Sequence, residues 1–224
     1  SGSGDIPSFG VTNDTTNALG ATIEVTPTYL DDGGVATCVG NPETFTITVN
    51  PLGQVEEVTS QVLCVGDTTD EIEFTTINTD GTTTYAWTND NPAIGLAASG
   101  PEIATATTIP SFVVTNNTTN ALVATIEVTP TYENNGVICV GDPETFTITV
   151  NPLGQVEPVV SQELCAGDLT ESIVFETTNT NGTTTYTWTN DNPAIGLAAS
   201  GPEDATATTI PSFIATNATN TPRT

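Results

Sequence analysis

The chain has 224 residues, of which 27 are Asp or Glu, one is Lys or Arg and none is His, for a formal net charge of −26. Phosphate recognition runs on Lys and Arg, so nucleic acid is excluded as a natural partner, and anionic membrane surfaces are disfavoured for the same reason. Without His, neither a Ser-His-Asp nor a Cys-His centre can be assembled.

The segment PETFTITVNPLGQVE at Pro42–Glu56 returns at Pro143–Glu157, a period of 101 residues, and Trp87–Gly100 returns unchanged as Trp188–Gly201. Near-identical copies at domain-sized spacing predict a tandem array. With Asn50-Pro51 and Asn151-Pro152 as junctions, residues 1–50 are the C-terminal part of one repeat, 51–151 a complete repeat and 152–224 the N-terminal part of the next. The expectation is a window on a longer polypeptide, with any export signal or anchor outside it. The apolar stretches are too short and too interrupted by Thr for direct membrane insertion.

Within the complete copy, Val55–Leu63 is expected as a first strand. Ile72 and Phe74 then alternate with Glu71 and Glu73, and beyond a turn at Asp80-Gly81, Tyr85 and Trp87 alternate with Thr84 and Ala86. Ile94–Ala97 is expected as a short strand and Ser111–Thr115 as a crossing one. From Leu122 to Tyr132 the apolar residues hold the even positions, and after a turn at 133–136, Phe146, Ile148 and Val150 alternate with Thr145, Thr147 and Thr149. Such period-two segments are half-buried strands, and no stretch carries a useful helical period. The prediction is an all-β protein of tandem immunoglobulin-like β-sandwich domains, about seven strands each, with Tyr85 and Trp87 and their repeats Tyr186 and Trp188 in the core.

Cys38, Cys64, Cys139 and Cys165 each precede an X-Gly pair, and the chain has no CxxC. The even count predicts structural disulfides rather than zinc or a catalytic thiol. Cys64 joined to Cys139 would close one domain on itself and contribute roughly 4 kcal/mol, leaving Cys38 and Cys165 to equivalent partners outside the window. The alternative joins Cys38 to Cys64 and Cys139 to Cys165 across the junctions. In a standard sandwich the first-strand and last-hairpin cysteines lie at opposite ends, which favours links between neighbouring domains.

Calcium is the one candidate cofactor, since hard cations seek clustered oxygens, with Asp67, Asp70 and Glu71 as candidate ligands and Asp31-Asp32 as a second cluster that becomes Glu133-Asn134 in the next copy. Paired carboxylates give no general acid common to the copies, because Glu56-Glu57 becomes Glu157-Pro158. The glycines form no phosphate loop. The chain is therefore expected not to be an enzyme.

The segments LCVGDTT (63–69), TYAWTNDNPAIGLAASG (84–100), ATIEVTPTY (124–132) and CVGDPETFTITVNP (139–152) carry a specific resemblance. Together they resemble the PKD-like repeats of giant flavobacterial cell-surface proteins, including gliding-motility adhesins. The resemblance covers the whole window. It implies an extracellular, cell-surface location reached by type IX secretion, and structural extender repeats serving adhesion or gliding. It implies as partners neighbouring repeats of the same polypeptide and surface polysaccharide or other cells. Asp14-Thr15-Thr16 and Asp67-Thr68-Thr69 are similar to the O-glycosylation signal of these bacteria, with Thr15 and Thr68 as acceptors. Asn13, Asn116, Asn117, Asn181 and Asn217 fit Asn-X-Thr, a triplet that a Thr-rich chain produces often by chance. Two alternatives stand beside the extender. One is a carbohydrate-binding module array, marked by an exposed aromatic shelf in each copy, and the other is an ice- or mineral-binding face using Thr145, Thr147 and Thr149.

One outcome follows from composition. Denatured, reduced chain should resist trypsin, because the single Lys or Arg is Arg223; mass spectrometry should find no internal cut before that residue.

Overall fold

A computed structural model describes residues 5–34, 37–100, 107–201 and 208–219, so Arg223 lies outside the described residues. The protein is all-β. Its strands are β1 (Leu19–Val25), β2 (Thr28–Leu30), β3 (Thr37–Val39), β4 (Glu43–Val49), β5 (Gln61–Cys64), β6 (Ile72–Glu73), β7 (Thr82–Asn89), β8 (Thr108–Ile109), β9 (Leu122–Asn134), β10 (Val137–Val140), β11 (Glu144–Asn151), β12 (Ile173–Val174) and β13 (Thr209–Ile210). Among the described residues, helical geometry is confined to 3-10 turns at Pro92–Ile94 and Pro193–Ile195. The chain forms two compact units, residues 1–61, 68–113 and 124–148 in the first, and residues 62–67, 114–123 and 149–224 in the second.

The longest strand organises the largest sheet. β9 runs antiparallel to β7, from Thr82↔Glu133 to Asn89↔Ile126, and the sheet continues in the order β10-β9-β11-β5. β6 and β8 form a separate antiparallel pair, Ile72↔Ile109 and Glu73↔Thr108. Both sheets feed the core in a sandwich-like arrangement: Ile72, Phe74 and Ile109 are buried, as are Tyr85, Trp87, Ile126, Val128, Tyr132, Phe146 and Ile148. The period-two expectation holds along β9, where Ala124, Ile126, Val128, Pro130 and Tyr132 are buried while Val123 and Glu127 are exposed. The turn at 133–136 also forms, with Asn135 at φ 52° and Gly136 at φ 77°, the pair of positive φ angles that a tight two-residue hairpin needs.

Pro130 stands where β9 passes from β11 to β10. Proline brings no N–H to a ladder, and its carbonyl accepts instead from Gly141 N–H at 2.9 Å. Gly53 N–H donates to Cys139 O at 3.2 Å. A Cβ on Gly53 would lie 2.7 Å from Pro130 O, and one on Gly141 would overlap Gly53 O. Three backbone segments therefore cross where only glycine fits.

Three expected strands differ in the structure. Only Gln61–Cys64 of the first segment is a strand. Ile94–Ala97 is no strand, because Ile94 closes the 3-10 turn Pro92–Ile94 and Gly95 caps it with φ 100°. The Asn89 side chain fixes that corner by donating to Leu96 O at 3.0 Å and Ala97 O at 3.2 Å while accepting from Asn91 N–H at 3.0 Å. In place of a strand at Ser111–Thr115, the ladder stops at Ile109, ahead of Pro110, and continues only as the bridge Thr68↔Val113.

The partial copies keep local pieces of the same design. β1 pairs with β4 from Leu19↔Val49 to Val25↔Glu43, and β2 with β3. β12 and β13 repeat the β6–β8 pair.

Gly100 N–H donates to Trp87 O at 3.1 Å, and a Cβ at Gly100 would overlap the Trp87 indole. Gly100→Ala should destabilise the fold by roughly 1–3 kcal/mol through overpacking. Gly20→Ala, where nothing lies within 4 Å of the added carbon, should stay within about 0.5 kcal/mol of wild type in denaturant unfolding.

Candidate functional site at the repeat junction

Asn116 is buried, and its side chain is used in full. Its Oδ1 accepts from Thr118 N–H at 2.9 Å and Thr118 Oγ1–H at 2.8 Å, and its Nδ2 donates to Asn120 O at 2.7 Å and Val150 O at 2.8 Å. The amide thus pins the turn 116–120 to the end of β11. Asn13 does the same in the first copy, with Nδ2 2.8 Å from Asn17 O and 2.7 Å from Val49 O, and Oδ1 accepting from Thr15. Local Asn and Thr bonds of this kind replace backbone ladders at turns.

The tip of each turn meets a second polar loop. In the first unit, Asn78 Oδ1 accepts from Gln54 N–H at 2.8 Å and its Nδ2 donates to Leu52 O at 3.1 Å. Its neighbour Thr79 donates its N–H to Thr16 O at 3.0 Å and its hydroxyl to Asn17 Oδ1. In the second unit, Asn179 holds Gln155 N–H at 2.9 Å and Leu153 O at 3.1 Å, and Nδ2 also reaches Thr119 O at 3.2 Å. Thr180 donates its hydroxyl to Asn120 Oδ1. Residues 78 and 179 are one repeat apart, so the same turn meets the same loop at both junctions.

Tyr132 steadies this loop from the hairpin, its phenol donating to Thr79 O at 2.9 Å. Burial pushes its ionisation above the ordinary phenol range, with Asp80 adding to the shift. Tyr85 is raised too, chiefly by burial.

Sequence reasoning missed these residues as a site. Asn13 and Asn116 were visible only as chance Asn-X-Thr triplets, yet their amide nitrogens are committed to hydrogen bonds. The available signal was the recurrence of Asn-X-Thr-Thr-Asn at 13–17 and 116–120 together with that of Asn-Thr at 78–79 and 179–180.

The expected site residues fall as follows. Tyr85 and Trp87 are buried, with the Tyr85 ring 5.4 Å from that of Phe74, so the complete copy presents neither on a sugar-binding shelf. Tyr186 and Trp188 are half-buried. Thr15 and Thr68 are exposed, but the Thr15 hydroxyl is engaged with Asn13 Oδ1 at 2.7 Å. Thr145 is exposed and Thr147 and Thr149 are half-buried, with the Thr147 N–H donating to Ser60 Oγ at 3.0 Å. Asp67 closes a turn by accepting Cys64 N–H at 2.9 Å, and the backbone of Asp70 is clasped by the Gln61 side chain. Among the described residues no three acidic or cysteine side chains gather into a metal-holding group.

No disulfide joins the four cysteines to one another in this structure, where Cys38, Cys64 and Cys165 are exposed and Cys139 is half-buried. Cys64 ends β5, where Val65 N–H donates to Asn151 O at 2.9 Å, at the end of β11. Cys139 pairs with Tyr132 in the hairpin that leads into the start of β11.

The chain matches no family model and no curated protein. No helix among the described residues is long and apolar enough to cross a membrane.

Asn116→Ala should cost about 1–3 kcal/mol in chemical denaturation, because it strands buried backbone carbonyls. Tyr132 has an alkaline signature as well. The unfolded chain loses the phenol proton near about pH 10 while the fold retains it, so stability should fall as pH rises beyond that point. Tyr132→Phe should flatten that fall in unfolding midpoints taken across the alkaline range, leaving the share due to Tyr85.

Proposed function

We propose that the chain is a run of structural extender repeats from a bacterial cell-surface adhesin filament, each repeat an immunoglobulin-like, PKD-like sandwich serving adhesion or gliding outside the cell. The observation that carries this reading is the junction itself. Asn17–Thr79 and Asn120–Thr180 are equivalent contacts made by equivalent residues one repeat apart. A contact repeated at two successive positions of the array fixes one repeat on the next in the same way each time, so added copies add length without new linker chemistry. Catalysis gains nothing from such duplication.

The remaining features support the same role. A chain with 27 acidic residues and one basic residue repels its neighbours and stays soluble when crowded. The resemblance to PKD-like repeats supports type IX export, and Thr68, exposed at its bridge to Val113, is the better glycan acceptor of the two proposed. Burial of Tyr85 and Trp87 weighs against the carbohydrate-binding alternative.

The test is length. Tandem arrays of residues 51–151 in increasing copy number, imaged by electron microscopy, should extend by about 35–45 Å per copy. Displayed on cells, longer arrays should extend the reach of an attached adhesive tip. Saturable binding of a specific glycan by the repeats alone would overturn the extender reading in favour of a binding module.

A further inference from the structure

The hairpin between β9 and β10 closes through Asn135 and Gly136, which are both exposed and both hold a positive φ, 52° and 77°. Asn and Gly take this conformation at the least cost. They are also the pair in which a backbone nitrogen can reach the side-chain carbonyl of the residue before it with no Cβ in the way. Nothing lies within 4 Å of the Cβ position of Gly136, and the Asn135 side chain makes no hydrogen bond among the described residues.

The other amides around this hairpin are occupied. Asn78 and Asn116 use both ends of theirs. Asn134 donates through Nδ2 to Asn50 Oδ1 at 3.2 Å, and Asn50 Nδ2 donates to Asn134 O at 3.2 Å. The turn at Asp80-Gly81 also has a positive φ, 66° at Asp80, but it is covered: a Cβ on Gly81 would lie 2.5 Å from the Tyr132 ring and 2.6 Å from Glu133 O. Asn135 thus combines the reactive neighbour with open surroundings.

We propose that Asn135-Gly136 is a site of spontaneous deamidation, and that the reaction loosens the hairpin from the loops it holds. The Gly136 nitrogen attacks Asn135 Cγ, the new C–N bond closes a succinimide ring, and the side-chain nitrogen leaves as ammonia, taking the Gly136 proton. Water then opens the ring at either carbonyl, leaving aspartate or isoaspartate at position 135. The ring closes when the tip opens locally, and a tip with an unbonded side chain and open space around it opens at low cost.

Either product adds a negative charge two residues from Glu133, and isoaspartate also lengthens the main chain by one carbon. A two-residue turn then no longer matches the twist of its strands, and the strain falls on Val137↔Asn134, the first pair of the β9–β10 ladder. That hairpin carries three contacts to other loops: the Tyr132 phenol on Thr79 O, Asn134 on Asn50, and Cys139 O on Gly53 N–H. The turn does not need the amide for its shape. The corresponding connection in the first copy contains Gly33-Gly34, with Gly34 at φ 70°, and no Asn. None of this depends on the adhesin reading.

The experiment holds the whole folded chain in mildly alkaline reducing buffer made with heavy-oxygen water, which marks carboxyl groups formed during the incubation. Cleavage after Glu133 and Glu144 releases the peptide 134–144, and mass spectrometry with isoaspartyl methyltransferase labelling reads position 135. Asn135 should convert at a rate within about tenfold of that in the urea-unfolded chain, with isoaspartate among the products, while Asn134 in the same peptide stays intact. Converted chains, separated by charge, should unfold at a lower urea concentration than fresh chains and exchange the amide hydrogens of Val137–Val140 faster. Asn135→Gly should keep the fold by circular dichroism and show no such drift over the same incubation; if it does not fold, fresh and converted wild type supply the comparison. Asn135 intact in the folded chain while it converts in urea, converted chains with the midpoint and exchange of fresh ones, or a folded Asn135→Gly chain that drifts as wild type does would each overturn the proposal.

Discussion

The antiparallel ladder between β7 and β9 is the constraint on which the rest of the repeat depends. It sets Trp87 beside Val128 and Tyr85 beside Pro130, so the two large aromatics are buried by the strand that also carries Ile126 and Tyr132. Burying each large apolar side chain contributes on the order of 1.5–3 kcal/mol, and this one register brings several of them together. It also places the Tyr132 hydroxyl where it reaches Thr79 O. Core and junction are therefore aligned by the same pairing, and a slip of one residue would turn every core side chain on β7 toward solvent.

A chain with one Lys or Arg cannot hold itself together with ion pairs. Neutral side chains take that place. Asn89, Asn116 and Thr69 are buried, and each is bonded to backbone: Asn89 closes the 3-10 corner, Asn116 the turn at β11, and Thr69 accepts Phe112 N–H at 3.1 Å. Such groups are stable in a core only when their donors and acceptors are met, and turns made this way keep their geometry as salt changes. Some carboxylates also accept backbone N–H groups, as Asp67 does from Cys64 and Asp90 from Thr125.

The strand faces, the hairpin at 133–136 and the core role of Tyr85 and Trp87 were legible in the sequence because each depends on a local period or a turn residue. The repeat itself was legible because it is written in the letters. What was not legible came from contacts distant in sequence. Pro92 and the Asn89 side chain turn Ile94–Ala97 into a corner, and Pro110 stops the strand expected at Ser111–Thr115. The junction escaped because Asn116 reads as a surface triplet until Val150 O is brought beneath it.

The sequence by itself determined which residues can be buried, where the chain turns and that the pattern recurs every 101 residues. Only the tertiary structure decided which of those segments become strands. TTTYAWTN at Thr82–Asn89 is a strand, and TTTYTWTN at Thr183–Asn190 is not a continuous one. Period-two patterning specifies a face, whereas a strand also needs a partner to receive its N–H and C=O groups. β9 is that partner in the first case, and, among the described residues, 183–190 are bridged only at Thr189↔Ser200.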